Sequence, residues 1–354
     1  NMELIGRIQE ISILQEALQS ERAEMLAVYG RRRVGKTFLI KKVYGNELCF
    51  SMSGIHNASL KEQLQNFSNA LKEAYGTRLE IKPPSNWVEA FELLKNYLSE
   101  PIKQETTGRL RKGKKVIFFD ELPWMDTPKS NFLQSLDHFW NSWAAHRDDI
   151  VFVICGSAAS WMIKKIVHNK GGLHNRVTKR IRLLPFTLAE TELFFQHKQI
   201  KLDRYGMAQL YMAIGGIPFY LNEVKRGESV AQNIDRICFT KDGLLQHEFS
   251  NLYKSLFNNS DKHVKIIKAL AGSQRGLSRS EIIHKTKMKT GGAVTELFDE
   301  LLESGFISEI QAQQKKGKDH IYRLTDEYSL FYIKFIEPNK VGGKNMWMQL
   351  SSKP

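Results

Sequence analysis

Over the first half of the chain, short apolar-rich runs alternate with stretches whose apolar residues recur every three or four positions. The runs fall at 25–29, 48–52, 116–119, 151–155 and 181–184. Strands buried on both faces read this way, as near-continuous apolar segments without strict alternation. Helical patterns fill the gaps at 8–19, 36–44, 59–75, 87–98 and 132–145. Strand and helix in alternation predict an α/β unit, a parallel sheet covered on both faces.

From residue 187 the strand signals stop and helical periodicity takes over, at 190–196, 204–214, 219–225 and 230–239. This predicts a helical lid. A new pattern starts near Asp261: helices at 262–271, 279–286 and 291–304, then a hairpin at 306–311 and 320–324. Three helices and a two-stranded wing predict a winged helix. The expected division is therefore an α/β domain at 1–186, a lid at 187–258, a winged helix at 259–326 and a tail at 327–354. A length of 354 residues suits two or three such units.

Composition changes the picture little: 42% hydrophobic and 25% charged residues are ordinary globular values. No run of eighteen apolar residues appears, and Asn1-Met2-Glu3-Leu4 offers neither a basic n-region nor an apolar h-region. A cytoplasmic protein without membrane contact is expected, with Asn1 read as a residue left by an expression tag. Cys49, Cys155 and Cys238 lie far apart in apolar surroundings, which predicts buried, reduced thiols.

Charge is more informative. The formal net charge is +14, with 28 Lys/Arg against 19 Asp/Glu over 1–185, 12 against 8 over 261–325, and balance at 8 against 8 between them. Such an excess implies an acidic partner: phosphate, nucleic acid or a membrane surface. One stretch is dense in cations, Arg109, Arg111, Lys112, Lys114 and Lys115, just ahead of the third strand.

The run Gly30-Arg31-Arg32-Arg33-Val34-Gly35-Lys36-Thr37 fits G-x-x-x-x-G-K-[ST], follows an apolar strand and opens a helix. Glycines let consecutive N–H groups approach phosphate oxygens closely, and the head of a helix adds its dipole. Lys36 would meet the β and γ phosphates of ATP, and Thr37, followed by Phe38, would ligate Mg2+. The three loop arginines, Arg31, Arg32 and Arg33, could touch phosphates, with at least two of them expected to be solvated.

Downstream, Val116-Ile117-Phe118-Phe119-Asp120-Glu121 is a buried strand ending in two acids, the pattern of a Walker B element. Asp120 would hold magnesium through water, and Glu121 would activate the attacking water. The strand at 151–155 ends in Gly156-Ser157, where the serine could reach the γ-phosphate or the lytic water, because ligands gather at the carboxyl edge of a parallel sheet.

Together these residues resemble the archaeal-type P-loop ATPases of the AAA+-like, STAND branch. The matching pieces are Ile5-Gly6-Arg7, the loop from Tyr29 to Thr37, Asp120-Glu121, Gly156-Ser157, Arg176 before Leu184-Pro185-Phe186, and Gly215-Gly216-Ile217-Pro218. The resemblance implies an ATPase core, lid and winged helix acting as a nucleotide-controlled switch that binds ATP and ADP. It places Ile5 and Arg7 by the adenine and Pro218 against the base. It also implies a phosphate-sensing arginine at Arg176, with Arg180 and Arg182 as competitors, acting in cis or across the boundary of a homo-oligomer. Many members continue into a restriction-endonuclease-like domain; here no D…ExK-like cluster follows, so either the chain was cut or this member lacks that module.

Within the expected winged helix, Lys287, Lys289, Thr290 and Thr295 lie at the amino-terminal end of the second helix of a helix–turn–helix, and Lys315, Lys316 and Lys318 in the wing. Lysines so placed fit electrostatic contact with a DNA backbone. A protein effector is the other partner open to such a module. The leading functional reading is an ATP-hydrolysing switch coupled to DNA or an effector. The alternative is a DNA-binding regulator in which nucleotide controls binding and turnover is negligible.

Overall fold

The computed structural model describes residues 3–76, 80–101, 113–157, 159–167, 172–257, 259–311, 320–339 and 345–351. The chain divides into two compact units. One comprises Arg7–Tyr29 and Lys36–Leu183; the other comprises Asn1–Gly6, Gly30–Gly35 and Leu184–Pro354.

The first unit is built on strands β1 (Glu24–Tyr29), β2 (Leu48–Ser53), β3 (Lys115–Asp120), β4 (Ile150–Gly156) and β5 (Lys179–Arg182). They form one sheet in the order β2-β3-β4-β1-β5, and every pairing is parallel. Every residue of β1 and β4 is buried, as the apolar runs require of strands covered on both faces. The last strand begins two residues earlier than its apolar pattern suggested, because Thr178 and Lys179 already continue the ladder beside Met25 and Leu26.

Around the sheet run α1 (Ile8–Gln19), α2 (Lys36–Tyr44), α3 (Leu60–Tyr75), α4 (Trp87–Ser99), α5 (Phe132–Ser142) and the single turn α6 (Ala159–Met162). Helix α3 starts at a capping box between Ser59 and Glu62, and α4 starts at Asn86, whose side chain accepts from the Glu89 N–H. Their apolar faces enclose an aromatic core in which Phe91 stacks on Phe119 at 6.0 Å and Phe119 meets Phe152 at 5.2 Å. This packing backs β3 along its length and fixes where the strand delivers its terminal acids. All three cysteines are free and buried, as expected.

The second unit holds α7 (Leu188–His197), α8 (Arg204–Ile214), α9 (Pro218–Leu221), α10 (Val230–Ile234) and α11 (Glu248–Leu256). Helix α8 ends at Gly215 with φ 68°, and Pro218 opens α9 at a position where its missing N–H costs nothing. Gly216 is sterically obligatory, since a Cβ there would sit 1.9 Å from the Phe186 carbonyl oxygen. The helix read at 219–225 is shorter than its pattern, and α11 had no separate signal in the sequence.

Helices α12 (Asp261–Ala271), α13 (Arg279–Thr286) and α14 (Gly292–Glu303) follow, with a sheet of β6 (Leu277–Ser278), β7 (Ile307–Gln311) and β8 (His320–Leu324). The sheet is antiparallel in the order β6-β8-β7. It has three strands where the sequence suggested two, because Leu277 and Ser278 pair with Tyr322 and Ile321 ahead of the α13 cap. The chain then forms α15 (Glu327–Phe331), capped by Asp326, and α16 (Met346–Ser351). Among the described residues no helix is long and apolar enough to cross a membrane.

Candidate active site

In the first unit, three segments end at the carboxyl edge of the sheet. Helix α2 begins with Lys36 and Thr37, β3 finishes at Asp120, and β4 finishes at Gly156. The register aligns them: Phe119 lies opposite Ile154, Ser53 opposite Asp120, and Tyr29, the residue before the glycine-rich loop, opposite Gly156.

The Thr37 hydroxyl donates to Asp120 Oδ2 at 2.6 Å, while Asp120 Oδ1 accepts the Glu121 N–H at 3.0 Å. Asp120 and Lys36 are both buried. Glu121 lies just past the strand with φ 47° and ψ 47°, a left-handed conformation that costs a branched-free L-residue about 1 kcal/mol. That twist turns its carboxylate toward β4, where Ser157 binds it twice: the hydroxyl lies 2.8 Å from both carboxylate oxygens and the N–H donates to Oε2 at 3.1 Å. Sequence reasoning assigned Ser157 to a phosphate or the lytic water; here the hydroxyl is engaged with Glu121.

Beneath this turn sits Gly54. Its N–H donates to the Asp120 carbonyl at 2.9 Å, and a Cβ on it would lie 2.6 Å from the Glu121 carbonyl oxygen. Sequence reasoning missed Gly54, since a glycine directly after a strand carries no distinctive signal. Behind the site, burial and then the nearby Asp120 carboxylate push the Cys155 thiol well above its ordinary pKa, so it stays a neutral core group.

The donor set suits a magnesium ion. A threonine hydroxyl and one aspartate carboxylate, 2.6 Å apart at the head of a helix, are hard oxygen ligands of the kind that Mg2+ takes together with phosphate oxygens and water.

Other candidates are more dispersed. Arg7 is buried at the start of α1 with φ 60° and lies 3.8 Å from Glu10; Phe38 is partly exposed on α2. Arg176, 39% exposed, pairs with Asp137 at 3.2 Å, and Arg180 donates to His174. In the second unit, Ile5 precedes Gly6, whose φ of 65° places its Cα against the Glu190 side chain, and Pro218 is half-buried at the head of α9.

The expectation that at least two loop arginines are solvated is corrected. Arg31 is buried against Asp326 and Arg33 is ion-paired with Glu248, which leaves Arg32 as the exposed one. Buried carboxylates drew these side chains in, and both partners lie more than two hundred positions away in sequence. Val34 is buried within the same loop.

Among the nucleic-acid candidates, Lys287 caps the end of α13 with φ 54°, and Lys289 and Thr290 are exposed in the turn before α14. Thr295 accepts from Arg279 at 2.7 Å. Helix α14 itself carries Glu296, Asp299, Glu300 and Glu303 and no Lys or Arg. Lys315, Lys316 and Lys318 lie outside the described residues, as do Arg109, Arg111 and Lys112.

A family model described as an ATPase domain predominantly from Archaea matches residues 4–224. An uncharacterized protein of Methanocaldococcus jannaschii is 26% identical over 340 residues, spanning 95% of this chain and 69% of that protein. An uncharacterized ATP-binding protein of the same organism is 42% identical over 43 residues, which cover 12% of this chain and 73% of that one. Among solved structures, the Walker-type ATPase of Pyrococcus abyssi superposes with a TM-score of 0.62 at 18% identity, covering 94% of this chain and 96% of that chain, a likeness of fold. The five-stranded parallel sheet is that of a P-loop NTPase. With a family match over more than half its length, the chain belongs to the ATPase domains found predominantly in Archaea.

Proposed function

We propose that this chain is a nucleotide-controlled switch that binds Mg-ATP at Gly30 to Thr37 and hydrolyses it. The observation that carries this reading is the cluster at the sheet edge, where the Thr37 hydroxyl and the Asp120 carboxylate meet at 2.6 Å beside a Glu121 held by Ser157.

Each residue has a part set by its chemistry. Main-chain N–H groups of the loop and the head of α2 cradle the β and γ phosphates. Lys36 adds a positive charge against them. Thr37 and Asp120 would hold the metal, and Mg2+, when bound, offsets charge on the phosphate oxygens. Glu121 orients a water and accepts its proton, and Ser157 fixes which way that carboxylate faces. Ile5, Arg7 and Pro218 are proposed to frame the adenine. Arg176, paired with Asp137, is proposed to supply a charge to the phosphates on release from that pair, in cis or across the boundary of a homo-oligomer. The domain division at 186, 258 and 326 is part of the same proposal, with the lid and winged helix relaying nucleotide state to an effector.

The test is phosphate release from Mg-ATP by the wild-type protein and by Glu121→Gln. Release in the wild type, and its loss in a variant that still binds ATP, supports the reading. Equal release by both contradicts the role given to Glu121.

A second reading, a DNA-binding regulator with negligible turnover, is favoured by the exposed Lys287 and Lys289 on the turn ahead of α14. The acidic composition of α14 weighs against that helix entering a groove, so contact would be with the phosphate backbone. Binding to duplex DNA that is detectable at low salt and falls steeply with added salt supports it; undetectable binding at low salt removes it.

A further inference from the structure

The loop Gly30–Gly35 belongs to the second unit, whereas Tyr29 and Lys36 on either side of it belong to the first. Two of its arginines account for that allegiance. Arg31 is 2% exposed; its Nη1 donates to Asp326 Oδ1 at 2.7 Å and its guanidinium carbon lies 4.3 Å from the centroid of the Phe306 ring. Burial opposes the Arg31 charge, but the Asp326 carboxylate outweighs it and raises the pKa. The other Asp326 oxygen is also engaged, accepting from the Ser329 N–H at 3.0 Å and from the Ser329 hydroxyl, which in turn meets the Tyr253 hydroxyl at 2.8 Å.

Arg33 repeats the arrangement two residues on. With φ 68°, its side chain reaches Glu248 Oε1 at 2.6 Å and lies 4.3 Å from the centroid of the Phe219 ring. The Tyr220 hydroxyl donates to the same carboxylate oxygen at 3.0 Å. Each guanidinium thus holds one carboxylate and one aromatic face, the contacts by which arginine is fixed in place. A phosphate-binding arginine has to turn its guanidinium to the ligand; in Arg31 and Arg33 one Nη1 donor and one face of the guanidinium are turned to α11, α15 and the residues beside them.

We propose that Arg31 and Arg33 are not phosphate ligands but a two-point tether, which makes the conformation of the phosphate loop and the packing of α11 and α15 a single equilibrium. Wrapping the loop around phosphates moves the Cα atoms that carry both guanidinium groups, and through them Asp326 and Glu248. Coupling of this kind is reciprocal: whatever shifts α11 or α15 alters affinity at the loop by the same factor. The inference rests on the reading of the loop as a nucleotide site. It goes further in naming the residues that would carry the signal.

The experiment is hydrogen exchange on the full chain with and without Mg-ATP, run beside calorimetry on the same samples. In the wild type, nucleotide changes exchange in peptides covering 248–256 and 326–331. Arg33→Gln, at a partly exposed position, loses the response at 248–256 and keeps that at 326–331. Arg31→Met with Asp326→Asn removes both buried charges while leaving an oxygen to cap α15; it loses the response at 326–331, and loss of its Mg-ATP binding heat would make Arg31 a phosphate ligand and overturn the tether. A wild type that binds Mg-ATP with neither peptide responding overturns the tether, as do variants that keep both responses. Absence of any binding heat in the wild type instead overturns the nucleotide reading, and the tether with it.

Discussion

The Glu121 carboxylate accepts two hydrogen bonds from Ser157, one from its hydroxyl at 2.8 Å and one from its N–H at 3.1 Å. Two adjacent strands thus share control of one acid: β3 delivers it and β4 aims it. Ser157→Ala removes the hydroxyl and keeps the N–H. Phosphate release is expected to fall by about 10-fold, a smaller loss than the roughly 10²–10⁴-fold expected for Glu121→Gln. Steady-state release with ATP in excess checks both, and equal losses would mean that Ser157 does more than aim the acid.

Gly54 offers a second handle on the same turn. An alanine there places a Cβ 2.6 Å from the Glu121 carbonyl oxygen and 3.1 Å from the Trp124 Cβ, so the turn has to move. A displacement near 1 Å at a catalytic group costs on the order of 10²-fold in rate. Gly54→Ala is expected to slow phosphate release by that order with ATP affinity unchanged. Calorimetry beside the rate assay separates the two, and an unaltered rate would show that the turn accommodates the methyl group.

Stability should carry the mark of Glu327. Burial first, and then the neighbouring Asp326 carboxylate, push its pKa up from 4.5 to about 7, against a hydrogen bond from its own backbone N–H and, less strongly, the Arg31 charge. The folded chain therefore holds a proton there that the unfolded chain has released. The stabilising contribution is complete below pH 4.5 and is lost as pH rises through 7, by about 3 kcal/mol at the upper limit. Urea unfolding at pH 5 and pH 8 is expected to show that loss in the wild type and little of it in Glu327→Gln. The same pH dependence in both would place the titration elsewhere.

Much of this architecture is legible in the sequence, and the reason is local. Strands β1, β3 and β4 each contain an unbroken apolar run, at 25–29, 116–119 and 150–155, that announces them, and the spacing from Gly30 to Thr37 needs no tertiary information. Helix α11 went unread because it is only nine residues long and starts one residue after the short turn at Leu244–Gln246, with His247 alone between them. The partners of Arg31 and Arg33 were not legible at all. A loop arginine reads as solvated unless a carboxylate meets it, and Asp326 lies 295 positions away. The aim of the Ser157 hydroxyl was equally hidden, because it depends on the left-handed backbone at Glu121.

The pair between Arg31 and Asp326 bears on stability as well as on the proposed tether. Both side chains are 2% exposed, so Asp326→Ala strands a buried cation. Loss of one partner from such a pair costs roughly 3–5 kcal/mol. Arg31→Met with Asp326→Asn removes both charges and should recover a large share of it. Denaturant midpoints of the single and double variants decide this, and a double variant no more stable than Asp326→Ala would mean that packing rather than charge is at stake.

The most direct test of the account is a calorimetric titration of Mg-ATP into the wild-type protein and into Lys36→Ala. The account predicts saturable binding in the wild type and its loss in the variant, since Lys36 opens α2 beside Thr37 and Asp120. No heat from the wild type, or equal affinity in both, contradicts it.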